Sequence, residues 1–269
     1  MLDEPTLLRL ADLNLAEAQR EHARFLPPYV IEERDGLLLS ACGARIPAAP
    51  FNAVSRVSAL PDKTEEPEVL EAKATQFFLE RGTGFGIQLR AHLDERLQQR
   101  CEARGLKRKS NAPGMALTAP VAGPVVADET TLMTVRTQAD AEAFTCVVSS
   151  AFEAIGLPAP IARKLLSQPE RWLEPHWHVS LLWEDARPAA GAMLLFSHGI
   201  AGIYWVGTLA EARGRGYGEA VTRAVCEHAF ARGARAVVLQ ASQFGEPVYK
   251  RIGFREITRY PWYAVPRPS

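Results

Sequence analysis

Residues 206–220 read Val-Gly-Thr-Leu-Ala-Glu-Ala-Arg-Gly-Arg-Gly-Tyr-Gly-Glu-Ala, an apolar strand end that passes through a glycine-rich turn directly into a helical pattern. A helix that starts inside such a turn leaves its first backbone N–H groups without intrahelical acceptors, and its dipole adds partial positive charge beside them. The stretch is therefore a ready cradle for a pyrophosphate. Glycines at 214, 216 and 218 permit positive φ and close approach of a ligand to the backbone, and Arg213 and Arg215 add mobile positive charge. A nucleoside triphosphate loop would need Lys-Ser or Lys-Thr after the turn, and neither is present. A dinucleotide fingerprint would need Gly-x-Gly-x-x-Gly and an acidic residue closing the next strand, whereas this spacing is Gly214-x-Gly216-x-Gly218 and the strand over 234–240 ends in Gln240.

The pattern that fits is Arg-x-x-Gly-x-Gly, carried by Arg213, Gly216 and Gly218. It closely resembles the acyl-CoA signature of GNAT-type N-acetyltransferases, and the resemblance spans roughly 131–266. A second stretch, 241–255, resembles the family's other signature, a short helix that carries a tyrosine, Tyr249, and closes in Gly253-Phe254. Between the two, Tyr217, Ala220, Val221, Ala224, Val225 and Ala229 form the apolar stripe of a helix lying on a sheet, while Glu219, Arg223 and Glu227 occupy its outer face. Gly233 ends that helix, and the apolar run Ala236 to Leu239 suits a strand buried on both faces. Strand, turn, helix and strand in this order make a crossover unit with its ligand at the strand's C-terminal end.

The chain has 269 residues, enough for two ordinary domains. Around 110–129 the composition shifts to Ala, Pro, Gly and Val, with Pro113, Pro120 and Pro124, and no helical period survives. This reads as a connector, with domains over 1–125 and 126–269. In the first, helices are expected over 7–23, 67–81 and 92–104, a strand over 36–41, an extended stretch over 51–60 and a strand from Phe85 to Leu89. In the second, strands are expected over 132–136, 176–183, 189–196 and 199–208, with helices over 139–154 and 160–168. The fold class is thus α/β (α+β): a mixed, mostly antiparallel sheet flanked by helices, with two such domains in tandem. The first half loosely resembles the degenerate N-terminal half of tandem GNAT proteins. Its Arg81-Gly82-Thr83-Gly84-Phe85-Gly86 imitates the phosphate turn, but period-two alternation follows it and makes it a strand entry.

Lys and Arg number 31 and so do Asp and Glu, a balance that gives no argument for a nucleic-acid or membrane partner. Cys42, Cys101, Cys146 and Cys226 are far apart with no CxxC, and nothing at the N-terminus reads as a signal core, so a reduced, cytoplasmic protein is expected. His176 and His178 share a strand face without an evident third ligand, so no metal is expected.

The resemblance implies N-acetyl transfer from acetyl-CoA, as co-substrate, to an amine on a small molecule or peptide. The transfer would be direct, in a ternary complex, by a monomer or homodimer. By the same resemblance Val206, Gly207 and Thr208 pair with the pantetheine arm, Arg213 to Gly218, including Tyr217, hold the diphosphate, and Ser242 lies near the arm or caps the short helix. An alkyl ammonium with pKa near 10.4 costs roughly 4–5 kcal/mol to deprotonate at pH 7, so a proton acceptor is required. Glu211, Glu153, Glu184, His176, His178 and His198 are all candidates, Glu211 standing in the turn itself. The leaving thiolate needs a proton or hydrogen bond, which the Tyr249 phenol can supply. The alternative is a non-catalytic acyl-CoA sensor. Trp205 is expected in the core or cleft wall, with Tyr204 lining the acceptor pocket.

Overall fold

The computed structural model describes residues 2–43, 51–57, 66–124 and 129–266. In chain order its helices and strands are α1 (Glu4–Arg24), β1 (Val30–Arg34), β2 (Leu37–Ala41), β3 (Ala53–Arg56), α2 (Pro67–Leu79), β4 (Phe85–Gln88), α3 (Glu95–Ala103), β5 (Lys107–Leu117), β6 (Thr130–Thr134), α4 (Gln138–Ala151), α5 (Ala159–Leu165), β7 (Trp177–Glu184), β8 (Arg187–Ser197), β9 (Ile200–Thr208), α6 (Tyr217–Ala231), β10 (Val237–Gln240), α7 (Glu246–Ile252) and β11 (Arg255–Val265). Short 3-10 turns at Phe152–Ile155, Pro169–Leu173 and Ala210–Ala212 complete the set.

These elements form two compact units, and the boundary is not a single cut. The C-terminal unit holds Met1–Asn14 and Met115–Arg255; the N-terminal unit holds Leu15–Gly114 and Glu256–Ser269. A division near 125 therefore assigns two stretches differently from the packing. The last strand belongs with the N-terminal unit because β11 hydrogen-bonds antiparallel to β4, Trp262 opposite Gln88 and Val265 opposite Phe85. The first fourteen residues belong with the C-terminal unit, where Asn14 is fully buried. Residues 125–128 of the expected connector, and 58–60 of the expected extended stretch, lie outside the described residues. The connector's start is in fact a strand, since β5 runs through Pro113 and Gly114. A Cβ at Gly114 would fall 2.4 Å from Tyr260 Cε2, so glycine here marks the close approach of β11 and no turn.

In the N-terminal unit the strand order is β1-β2-β3-β4-β11-β5. β1–β2 and β2–β3 are antiparallel, and β3 runs parallel to β4. Leu39, Val54, Leu70, Phe77, Phe78, Ile87 and Tyr263 build its core, where the Phe78 and Phe85 rings stack at 4.3 Å. Gly82 has φ of 61° and the chain enters β4 directly after it, so the glycine turn at 81–86 is a strand entry, as its alternation indicated.

In the C-terminal unit the order is β10-β9-β8-β7-β6. Every neighbouring pair is antiparallel except β9–β10, which α6 connects as a parallel crossover. The apolar stripe of α6 is buried: Tyr217, Ala220, Val221, Val225 and Ala229 pack with Leu194, Ile203, Val237 and Leu239 in one core. Helix α4 opens with a full capping box, Thr137 Oγ1 accepting from the Asp140 N–H at 3.2 Å and the Asp140 carboxylate accepting from the Thr137 N–H at 3.0 Å. Its far end lies against β9, where a Cβ at Gly207 would come within 2.8 Å of Ala151 Cβ. Among the described residues no helix is long and apolar enough to cross a membrane.

Asn14 ties the first helix to this sheet. Its Nδ2 donates to Leu195 C=O at 3.1 Å and to Ser197 Oγ at 2.8 Å, and its Oδ1 accepts from Tyr204 Oη at 2.9 Å. Asn14→Ala should destabilise the protein by about 2–3 kcal/mol, because it strands buried polar groups that water cannot reach. A urea midpoint that shifts with an unchanged slope would show it.

Candidate functional site

The site is organised by an irregularity in β9. Met193 on β8 faces Tyr204, whereas Gly191 faces Gly207, so three steps along β9 match two along β8. One residue is extra, which defines a β-bulge. Trp205 has φ of 50°, in the left-handed region that a bulky residue enters only when its surroundings compel it. Its ring meets Phe152, at the end of α4, with centroids 4.6 Å apart. Pairing with β10 stops just short of the bulge, at Ile203 opposite Leu239. Beyond that point β8 still holds one edge of β9 as far as Thr208, while the edge toward β10 has lost its ladder. Val206, Gly207 and Thr208 lie on this opened stretch.

The chain then turns. Leu209 N–H bonds back to Ala189 C=O at 2.9 Å, the 3-10 turn Ala210–Ala212 follows, and Gly214 and Gly216 take φ of 79° and 80°. Around both glycines a Cβ would meet nothing within 4 Å, so they serve the backbone's conformation and leave the space above it open. No side chain caps α6, and its first internal bond runs from Ala220 N–H to Gly216 C=O at 3.0 Å. The amides of Tyr217, Gly218 and Glu219 thus precede the helical ladder and carry its positive dipole end.

The two arginines have partners within the protein, so neither is the freely mobile charge expected from sequence. Arg213 Nε donates to Thr208 C=O at 3.3 Å and its Nη2 to Ala151 C=O at 3.4 Å, bridging the turn to the end of α4. Arg215 pairs with Glu184, and the Tyr217 hydroxyl donates to the same carboxylate. Tyr217's bond, with Arg215 behind it, holds the Glu184 carboxyl below the usual carboxylate range. Glu184 is accordingly a poor acceptor for an ammonium proton.

Tyr249 sits on α7 with its ring buried among Gly245, Phe254 and the core. Burial pushes its phenol well above the usual tyrosine range, so it is neutral and able to donate at pH 7. Among the described residues its hydroxyl has no hydrogen-bond partner. Ser242 is exposed, and its Oγ accepts from Gly245 N–H at 3.1 Å, which makes it the turn-forming residue ahead of α7. Glu211 stands exposed on the 3-10 turn with no side-chain partner among the described residues. Glu153 instead accepts from Ala159 N–H at 3.1 Å and fixes the start of α5. Tyr204's hydroxyl is taken by Asn14, and His198 is exposed at the hairpin between β8 and β9.

His178 is occupied differently. It is buried and stacked on His228, with centroids 3.5 Å apart and planes 7° apart. Burial first, then His228, Arg232 and Arg136, push it down to about 4.

This is a mixed, mostly antiparallel sheet flanked by helices, whose parallel pair opens at a bulge onto an uncapped, glycine-led helix: the GNAT fold. Residues 149–254 match the model of the acetyltransferase (GNAT) family, and this segment is a GNAT domain. A GCN5-related N-acetyltransferase from Kribbella flavida, 19% identical, superposes over 93% of this chain and 94% of its own with a TM-score of 0.72. One from Sphaerobacter thermophilus, 18% identical, covers 98% and 94% with a TM-score of 0.60. A tandem GNAT protein from the clavulanic acid biosynthesis pathway, 16% identical, covers 97% and 94% with a TM-score of 0.62. The fold of the chain is therefore shared with a tandem GNAT protein along nearly its whole length. Comparison with curated protein sequences gives no match.

His178 yields a test of this geometry through pH. Its folded pKa lies below the unfolded value near 6.5, so between about 6.5 and 4 the unfolded chain binds more protons and stability must fall as pH falls. Urea midpoints measured across that window should decline in the native protein, and His178→Leu should flatten the decline.

Proposed function

We propose that the C-terminal unit transfers an acetyl group from acetyl-CoA to an amine, directly and within a ternary complex. The observation that carries the proposal is the coincidence of two features at one end of β9: a ladder interrupted at Trp205 and an uncapped helix start just after Gly216. The free edge at Val206, Gly207 and Thr208 suits the amide-bearing pantetheine arm, which can pair with it as a strand would. The amides from Gly214 to Gly218, including Tyr217, suit the diphosphate, with Arg213 and Arg215 shaping the turn that presents them. Ser242 acts on the opposite wall by setting the turn before α7.

In the reaction the neutral amine attacks the thioester carbonyl, the carbon–sulfur bond breaks, and the thiolate takes a proton to leave as free CoA. The amine's proton passes to a base. Tyr249 supplies the hydrogen bond or proton to sulfur, a role favoured by its neutral, unpartnered phenol. Glu211 is the assigned base, acting through water, because its carboxylate carries no ion pair among the described residues. Backbone amides that hold the carbonyl oxygen stabilise the developing charge. The acceptor is a small-molecule or peptide amine, with no metal in the chemistry, and the protein works in the cytoplasm as a monomer or homodimer.

Calorimetric titration with acetyl-CoA, combined with thiol release over a panel of amines, tests the reading. Binding with thiol release by at least one amine is expected. Binding without release across the panel would favour the sensor, and no binding would end both. Tyr249→Phe should lower kcat by about 10²-fold while leaving the affinity for acetyl-CoA within a few-fold. Gly216→Ala should weaken acetyl-CoA by about tenfold, since an L-residue at positive φ costs roughly 1–2 kcal/mol and its Cβ intrudes where the anion approaches.

A further inference from the structure

The bulge in β9 turns two neighbouring aromatic side chains to the same side of the sheet. Ala201, Ile203 and Val206 pack with the α6 core, so the regular spacing of two becomes three across the bulge. On the opposite side a Cβ at Gly202 would meet Asn14 and the Tyr204 ring, the Trp205 ring meets Phe152, and a Cβ at Gly207 would meet Ala151 of α4. Tyr204 and Trp205 therefore both face the α4 side, which the alternation of a regular strand forbids. Neither is free to swing aside. The Tyr204 hydroxyl donates to Asn14 Oδ1 at 2.9 Å, and Trp205 is 7% exposed, with its ring centroid 4.6 Å from that of Phe152.

Strands β9 and β10 enclose a notch whose narrow end is the last rung of their ladder, Ile203 opposite Leu239, and whose wide end leads to the glycine turn. On the transferase reading, on which this inference rests, an arm with its diphosphate at 214–218 runs back along Thr208, Gly207 and Val206 and carries its thioester to the narrow end. Tyr249, the phenol assigned to the sulfur, belongs to the α6-side core together with Leu239 and Ala241. The acyl group is then turned to the α4 side, against Trp205 and Phe152, and the ladder at Ile203 blocks its way ahead. We propose that Phe152 and Trp205 set the length of the acyl group, admitting two or three carbons and rejecting four or more. Extra methylenes forced against a filled apolar wall drive its side chains off their rotamers, at a cost that weakens binding about tenfold or more. Phe152, half-buried at the end of α4, is the member of the pair whose truncation leaves β9 itself unaltered.

Calorimetric titration of the full chain with CoA and with acetyl-, propanoyl-, butanoyl- and hexanoyl-CoA tests this without any amine. Acetyl- and propanoyl-CoA should bind within a few-fold of each other, and butanoyl- and hexanoyl-CoA at least tenfold more weakly than acetyl-CoA. In Phe152→Ala the ratio of butanoyl- to acetyl-CoA affinity should rise about tenfold. Isotope-filtered NMR places the group in the native protein, where the methyl of 13C-labelled acetyl-CoA should show contacts to the ring protons of Phe152 and Trp205. Binding of CoA and acetyl-CoA with equal affinity for the longer thioesters, an affinity ratio unchanged in Phe152→Ala, or a bound acetyl methyl without contact to either ring would each overturn the acyl limit and leave the transferase reading standing. No binding of any of the five, CoA included, would end both.

Discussion

One surplus residue in β9 sets the geometry of the C-terminal unit. A strand in a sheet satisfies its backbone on both edges, and opening one edge normally exposes a row of donors and acceptors to no purpose. The bulge at Trp205 separates the two edges' fates: β8 keeps its ladder through Gly207 and Thr208 while β10 is released after Ile203. The left-handed conformation of a tryptophan is a strain of order 1–3 kcal/mol, and contact with Phe152 together with the close fit of Gly207 on α4 holds it in place.

The turn after β9 shows how two arginines can be placed beside a helix start without occupying it. Arg213 and Arg215 each lie close to the uncapped start of α6, where like polarity is unfavourable in isolation. Each is drawn aside, one to carbonyls of Thr208 and Ala151, the other to Glu184. The amides of Tyr217, Gly218 and Glu219 precede the helical ladder, and the space around Gly214 and Gly216 is open. Glu184 serves here as a structural anion, and that engagement is why it is unsuited to proton abstraction.

Much of this was legible because its causes are local. The glycine turn and the stripe of α6 follow from spacing within a few residues, the short helix bearing Tyr249 from the family resemblance of 241–255, and each forms where it is expected. The bulge was not legible, since Tyr204-Trp205-Val206 reads as ordinary strand and its distortion comes from Phe152 and β8, both distant in sequence. The partners of Arg215 and Tyr217 were hidden for the same reason, Glu184 lying on another strand. Strands β1 and β11 escaped notice because charged residues interrupt them, as in Glu32-Glu33-Arg34, and pairing with β2 and β4 overrides weak propensity. β5 escaped because Pro113-Gly114 imitates a turn.

The two units use one plan with opposite chemistry. Each has a parallel pair, β3–β4 or β9–β10, joined by a helix and followed by a second, shorter helix and a long strand. In one, the connecting helix begins with glycines and bare amides. In the other it begins with Glu66, Pro67 and Glu68, which place negative charge and a missing donor where a diphosphate would need positive polarity. The same divergence of strands is lined by backbone in the first case and by a buried arginine in the second. The residues that begin the connecting helix thus set the polarity that the end of each parallel pair presents.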